Sequence, residues 1–318
     1  MNFFQIISEI EKVDPEVYDR LDSRRSIFKN MAGLGQKLSA AALPLAVGAI
    51  FNKVYAQTPT GAGVNDVLNF ALKLEYLESY FYNARTGVTS QMSSQNAAAL
   101  ALIATDEANH VSFLRTTIAA LGGTPIAVPA TTGVFDYTAK GTFPTALTNA
   151  GVYLAIAQSF EDTGVRAYKG AAPLVMANKT VLTAALNIHS VEARHASHIR
   201  AMRRAGISSA TPSQGVAVAP YSGPTGAPKS WVSGTDGGGA VPGVTDKIYG
   251  AGNNTNAVSG IMYESEATTS QGGVNLVTNT TISGFPSSAF SESFDEGLDV
   301  GTVASIANLF SVSGNYFS

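Results

Sequence analysis

Two tetrapeptides of this chain share one pattern: Glu107-Ala-Asn-His110 and Glu192-Ala-Arg-His195. On an α-helix, residues i and i+3 lie on one face, so each pair can turn a carboxylate and an imidazole toward the same point. Only 12 of the 318 residues are glutamate. By chance a given histidine then has a glutamate three places before it roughly 4% of the time. Two of the four histidines do, a coincidence on the order of 1%.

The pattern belongs to a longer repeat. Glu75 and Glu161 are 86 residues apart, as are Tyr82 and Tyr168, while Glu107 and Glu192 are 85 apart, as are His110 and His195. Each half offers a lone glutamate, a tyrosine seven residues on, and then the Glu-x-x-His pair. A repeated helix pair that carries polar residues inward implies a pseudo-two-fold site.

Helical periodicity predicts four helices, at about 64–85, 94–121, 145–170 and 174–205. Their inward stripes are apolar except at the centre, where Glu75 and Glu78, Glu107 and His110, Glu161, and Glu192 and His195 replace the expected aliphatic residues. Buried carboxylates without compensation cost several kcal/mol each. Two divalent cations would neutralise four of them and account for the pattern. The first and third links are short, and the middle one, Gly122 to Pro144, is long and rich in Gly, Pro and Thr. The fold class expected is an all-α core, a four-helix bundle with one long crossover between its second and third helices.

Composition changes after residue 205. The remainder holds more than half of the 31 glycines and only two basic residues, Lys229 and Lys247. It reads as a Gly/Ser/Thr-rich extension of loops and short strands, spanning 206–318 and lying against the bundle. Trp231, Tyr249, Tyr263 and Phe285 are too many aromatics for a solvated linker. Residues 299–310 are expected as a short helix with Val303, Ile306 and Phe310 inward.

Absent cysteine removes disulfides, thiolate metal sites and cysteine nucleophiles at once. A metal must then be held by His and carboxylate. A net charge of −3 gives no basic surface for nucleic acid. Gly237-Gly238-Gly239 is not a phosphate loop, because no Lys-Ser/Thr follows it.

The N-terminal segment 1–56 reads as an address. Ser23-Arg24-Arg25-Ser26-Ile27-Phe28-Lys29 resembles a twin-arginine export signal, followed by an apolar run from Met31 to Phe51 and small residues ending at Ala56. Lys37 and Pro44 inside the run favour a cleaved signal over a membrane anchor of similar length. Cleavage is expected before Gln57, leaving no membrane span. The protein would be periplasmic or extracellular, with the bundle at 57–205.

The whole ligand set, Glu75, Glu107, His110, Glu161, Glu192 and His195, resembles that of the ferritin-like di-iron or di-manganese carboxylate superfamily, in which two helices give a Glu and two give Glu-x-x-His. More narrowly, the stretches ALKLEYLESYFY, DEANHVSFLR, FEDTGVRAYKGAAP and VEARHASHIR are similar to the exported ferritin-like domain family named after plant desiccation-related proteins. The resemblance covers about residues 64–205. It implies two iron or manganese ions, with Glu107 and Glu192 shared, Glu75 and His110 completing one site and Glu161 and His195 the other. It also implies dioxygen or peroxide as a partner and ferrous oxidation or peroxide removal as the chemistry. A metal-stabilised stress or envelope protein without catalysis is the alternative.

Other residues carry less. Tyr82 and Tyr168 are candidates for hydrogen bonding to the cluster or for radical trapping, beside a plain role in packing. Glu78 is as compatible with the surface as with the cluster, and its repeat position is Gly164. Asp106 is placed to orient an imidazole, a role that Val191 cannot copy in the other half. His189 and His198 lack the preceding glutamate and read as peripheral. Oligomeric state stays open, with a homodimer among the alternatives.

Overall fold

The structure is a computed structural model that describes residues 63–130, 133–206, 228–234, 240–241, 243–254, 261–279 and 284–318. The expected export signal and its cleavage point lie outside these residues, as do Gly237 to Gly239.

Four long helices form the bundle: α1, Val64–Asn83; α2, Ser94–Ala120; α3, Ala150–Ala171; and α4, Lys179–Ala205. Side-chain caps set three of their starts. Ser93 accepts from the Asn96 N–H at 3.2 Å, Asn149 from Val152 at 3.1 Å and Asn178 from Val181 at 3.1 Å. The last two caps explain why α3 and α4 begin about five residues later than periodicity predicts. Thr145 to Asn149 turns on itself, and Ala172–Val175 is a separate 3₁₀ turn carrying Pro173. Gly206, at φ +87°, ends α4 in a conformation that favours glycine.

Helix α1 packs chiefly on α2, and α3 chiefly on α4. The connection from α2 to α3 is the long crossover. It is tied down by Tyr80 and Tyr137, whose hydroxyls donate to the carbonyls of Pro129 and Leu77. Among the described residues no helix is long and apolar enough to cross a membrane.

The extension is mostly loop with short helices: α5, Asp246–Tyr249; α6, Leu276–Asn279; α7, Ser287–Ser291; and α8, Val300–Ala307, continued by a 3₁₀ turn to Phe310. Its strands are short, as the composition suggests. Among the described residues they amount to one two-residue hairpin, β1 Ser270–Gln271 against β2 Val274–Asn275. Val303, Ile306 and Phe310 are buried. Of the aromatics, Tyr249 and Tyr263 are buried and Phe285 is exposed; composition counts aromatics without saying which are inward.

Polar side chains of α3 and α4 hold the extension in place. Arg166 of α3 is fully buried. It donates to the carbonyls of Glu296, Gly250 and Glu264 at 2.7–2.9 Å and pairs with Glu266 at 2.8 Å. Arg200 of α4 grips Asp162 of α3 through two bonds, 3.1 and 2.6 Å, and Tyr249 donates to the same carboxylate at 2.5 Å. Between them the backbones touch. A Cβ on Gly170 would stand 1.9 Å from the Leu298 carbonyl oxygen, so only glycine fits there. The crossover and the late chain also join, through Asp136 N–H to Phe310 O at 2.8 Å and Val312 N–H to Val134 O at 3.0 Å.

Candidate metal centre

Each bundle helix brings its polar residues to the middle of the core. Glu75, Glu107, Glu161 and Glu192 are fully buried, and His110 and His195 nearly so. Their ligand atoms fall into two groups with two shared members. One is Glu75, Glu107, His110 and Glu192; the other is Glu107, Glu161, Glu192 and His195. Within each group the ligand atoms lie within 4.8 Å of one another. His110 Nδ1 is 3.2 Å from Glu75, 3.3 Å from Glu107 and 3.3 Å from Glu192. His195 Nδ1 is 2.9 Å from Glu107 and 3.4 Å from Glu161. The six residues singled out by spacing therefore converge on one place.

Tyr82 and Tyr168 cross between the halves. Tyr82 of α1 donates its hydroxyl to Glu161 of α3, and Tyr168 of α3 donates to Glu75 of α1. Burial, and then the neighbouring carboxylate, pushes both phenols well above their ordinary range, so both keep the proton they donate. Asp106 accepts from Nε2 of His195 at 3.2 Å. That bond crosses from α2 to α4, so Asp106 serves the imidazole of the other half.

The centre is unbalanced as bare protein. Glu107 Oε1, Glu161 Oε2, both oxygens of Glu192 and Nδ1 of His195 are buried without an aligned hydrogen-bond partner. His195 Nδ1 and Glu107 Oε1 approach closely, yet not in hydrogen-bond geometry. Protons fill part of the deficit. Burial raises Glu107 to about 7 and Glu192 well above the carboxylate range. Burial would lower both imidazoles, but the carboxylates around them outweigh it; His110 is raised by Glu75 foremost, and His195, by Glu161 foremost, is pushed up to about 12. Burial would also raise Glu75, but the charged His110 beside it prevails and holds it low.

Three neighbours complete the picture. Glu78 is buried, not on the surface, and its carboxyl is pushed far up by burial and by repulsion from Glu192, Glu107, Glu161 and Glu75. At the repeat position, a Cβ on Gly164 would stand 2.8 Å from Glu192 Oε2. Glycine there makes the room that Glu192 occupies, which its place on the inward stripe hinted at without showing. His198 is exposed, and His189 is half-buried with Nδ1 2.9 Å from the Val165 carbonyl; neither joins the cluster.

Carboxylate oxygen and imidazole nitrogen in this ratio suit a divalent transition metal, and the buried atoms without partners are where such ions would satisfy the protein. No curated protein and no solved structure matches the chain. The family model described as the ferritin-like domain matches residues 63–205, the span of the four helices and their cluster. Residues 63–205 of this chain are a ferritin-like domain.

Proposed function

We propose that this is an exported di-metal protein, holding two iron or manganese ions and carrying out redox chemistry on ferrous iron, dioxygen or peroxide. One observation carries the reading: five buried carboxylate and imidazole atoms without an aligned hydrogen-bond partner, from Glu107, Glu161, Glu192 and His195, face one small region of the core. Glu75 and His110 would hold one ion, Glu161 and His195 the other, and Glu107 and Glu192 both. Such ions, when bound, supply one-electron chemistry and Lewis acidity.

The chain's own groups prepare that site. The Tyr168 and Tyr82 hydroxyls fix one oxygen each of Glu75 and Glu161, leaving the other oxygen for the cluster. Asp106 draws a proton to Nε2 of His195 and so frees Nδ1, the nitrogen that faces Glu107 and Glu161. The helix core around the cluster excludes water.

Export rests on the twin-arginine pattern at Ser23 to Lys29, and placement in the periplasm or outside the cell follows from it. That route carries folded cargo, which would let the protein acquire iron or manganese before it meets more tightly binding zinc or copper. A second reading, a metal-stabilised stress or envelope protein without turnover, is favoured by the complete burial of all four cluster glutamates.

Metal analysis of protein purified from cells given iron and manganese tests the first claim. Two ions per chain are expected, and none in Glu107→Ala with Glu192→Ala. Equal metal content in parent and double variant would remove the site. Oxidation of added ferrous iron, and consumption of peroxide, then separate the two readings: turnover supports redox function, and its absence in a loaded protein supports the structural one.

A further inference from the structure

The two ends of the bundle core are packed differently, although the repeat relates them. Around Tyr82 the space is filled by Phe81, Tyr153 and Phe160. Phe81 stacks on Tyr153 with centroids 4.2 Å apart and meets Phe160 edge-on at 5.0 Å. Moved by the 86-residue repeat, these three positions become Ala167, Val67 and Leu74, which surround Tyr168. Three aromatic rings at one end are thus replaced by Ala, Val and Leu at the other. The vacated volume is not taken up by neighbours. It persists as a small chamber, open at one side, with a cavity volume of about 40 Å³.

The lining is aliphatic and aromatic throughout. Leu298 and Val303 of the extension close one side, so the chamber is walled partly by a segment outside the repeat. The only hydroxyl on its wall belongs to Tyr168, and that hydroxyl is bonded to Glu75. The ring of Tyr168 therefore separates the chamber from the carboxylate–imidazole cluster. An apolar lining of this kind offers water no hydrogen-bond partner and suits small apolar molecules, including gases.

We propose that the chamber admits and holds dioxygen next to the cluster, on the Glu75 side and not on the Glu161 side. The proposal rests on the redox reading above and sharpens it by naming the substrate class. Dioxygen loses no hydrogen bonds on entering such a space. Peroxide would give up its hydrogen bonds to water and find no partner on the wall.

Xenon is the probe, because it reports the chamber without any metal. In the full-length, metal-free chain, the ¹²⁹Xe chemical shift should show saturable binding, and Ala167→Phe, which copies Phe81, should abolish it with the bundle still folded. Leu74→Phe, which copies Phe160, serves if Ala167→Phe does not fold. In the iron-loaded protein the same filled variant should need a several-fold higher dioxygen concentration for half-maximal iron oxidation, with a smaller effect on the peroxide-driven rate. Absent xenon binding, equal binding in the filled variant, or an unchanged dioxygen requirement overturns the proposal. If the chain takes up no iron or manganese, the metal reading alone falls, and xenon still decides whether the chamber is a site for a small apolar guest.

Discussion

The first and second helix pairs of the bundle carry matching three-residue halves of one cluster in different settings. In α3, 19 of 22 residues are buried; in α1, 11 of 20 are. Helix α3 is a central helix wrapped by the extension, whereas α1 and α2 keep one side in water, with Leu102 and Phe113 exposed. The fully buried arginines Arg166, Arg200 and Arg203 all belong to the second pair. Where α3 has Arg166, α1 has Tyr80; where α2 has Asp106, α4 has Val191. The repeat thus preserves the six cluster residues and the two tyrosines bonded to them, and lets the residues around them diverge. What the two halves share is set by the site, and what they do not share is set by what each is packed against.

The largest expected difference is in stability. Arg166→Met leaves Glu266 and several carbonyls buried without their partner, and should cost about 3–5 kcal/mol. The repeat-related Tyr80→Phe loses one hydrogen bond, to Pro129, and should cost about 0.5–1.5 kcal/mol. Denaturant unfolding of both chains is the measurement; equal losses would mean that the extension does not depend on α3 in the way described.

A smaller effect is expected at the cluster. Asp106→Asn should weaken metal binding about 10–100-fold, because His195 then faces a neutral amide in place of the charged carboxylate that orients it. Val191→Ala, at the matching position of the other pair, should leave affinity unchanged. Competition against a chelator measures both, and a comparable loss in the two variants would erase the asymmetry.

The smallest is a pH effect confined to the second pair's contact with the extension. Burial pushes Glu266 up to about 7, with Arg166 offsetting only part of the shift. A carboxyl raised in the folded state favours folding while protonated. Its contribution is full below its ordinary value near 4.5 and is lost as pH climbs through about 7. Glu266→Gln keeps the oxygen that accepts from the Glu296 N–H at 2.8 Å but cannot ionise. The slope of melting temperature between pH 5 and 7 should be flatter in the variant than in the parent.

The bundle and the convergence of its six polar residues were legible because both rest on spacing. Two pairs at i, i+3 and a repeat of 85 or 86 residues specify a helix face and a partner face without any knowledge of depth. Depth is what the spacing omits. Glu78 shares a face with Glu75, and only the fold shows it to be buried. Helix starts slipped at α3 and α4 because hydrophobic periodicity runs through Leu147 and Leu174, while Asn149 and Asn178 do the capping. The buried arginines were invisible for a different reason: arginine is ordinarily a surface residue, and their partners lie far along the chain, for Arg166 backbone carbonyls 84 to 130 residues away, which no local pattern records. Composition located the extension and its character, mostly loop with short strands, but not the short helices α5, α6 and α7, since Gly, Ser and Thr give no helical period to read.

The bond from Val312 to Val134, and those from Arg166 to the backbone around residues 250, 264 and 296, also set an order of assembly. The helix pairs rely on contacts close in sequence, which form early. The closing segment is made much later. At about 5–20 residues per second, roughly 5–20 s separate the completion of α4 from the synthesis of Phe310. During that interval the α3 flank is open, Arg166 is hydrated, and the wall formed by Leu298 and Val303 does not exist. The newly made bundle therefore passes through a stage in which its centre is nearer to solvent than it will be again. Any ions the cluster takes up would have their easiest access then, and docking of the final segment would be the step that seals them in.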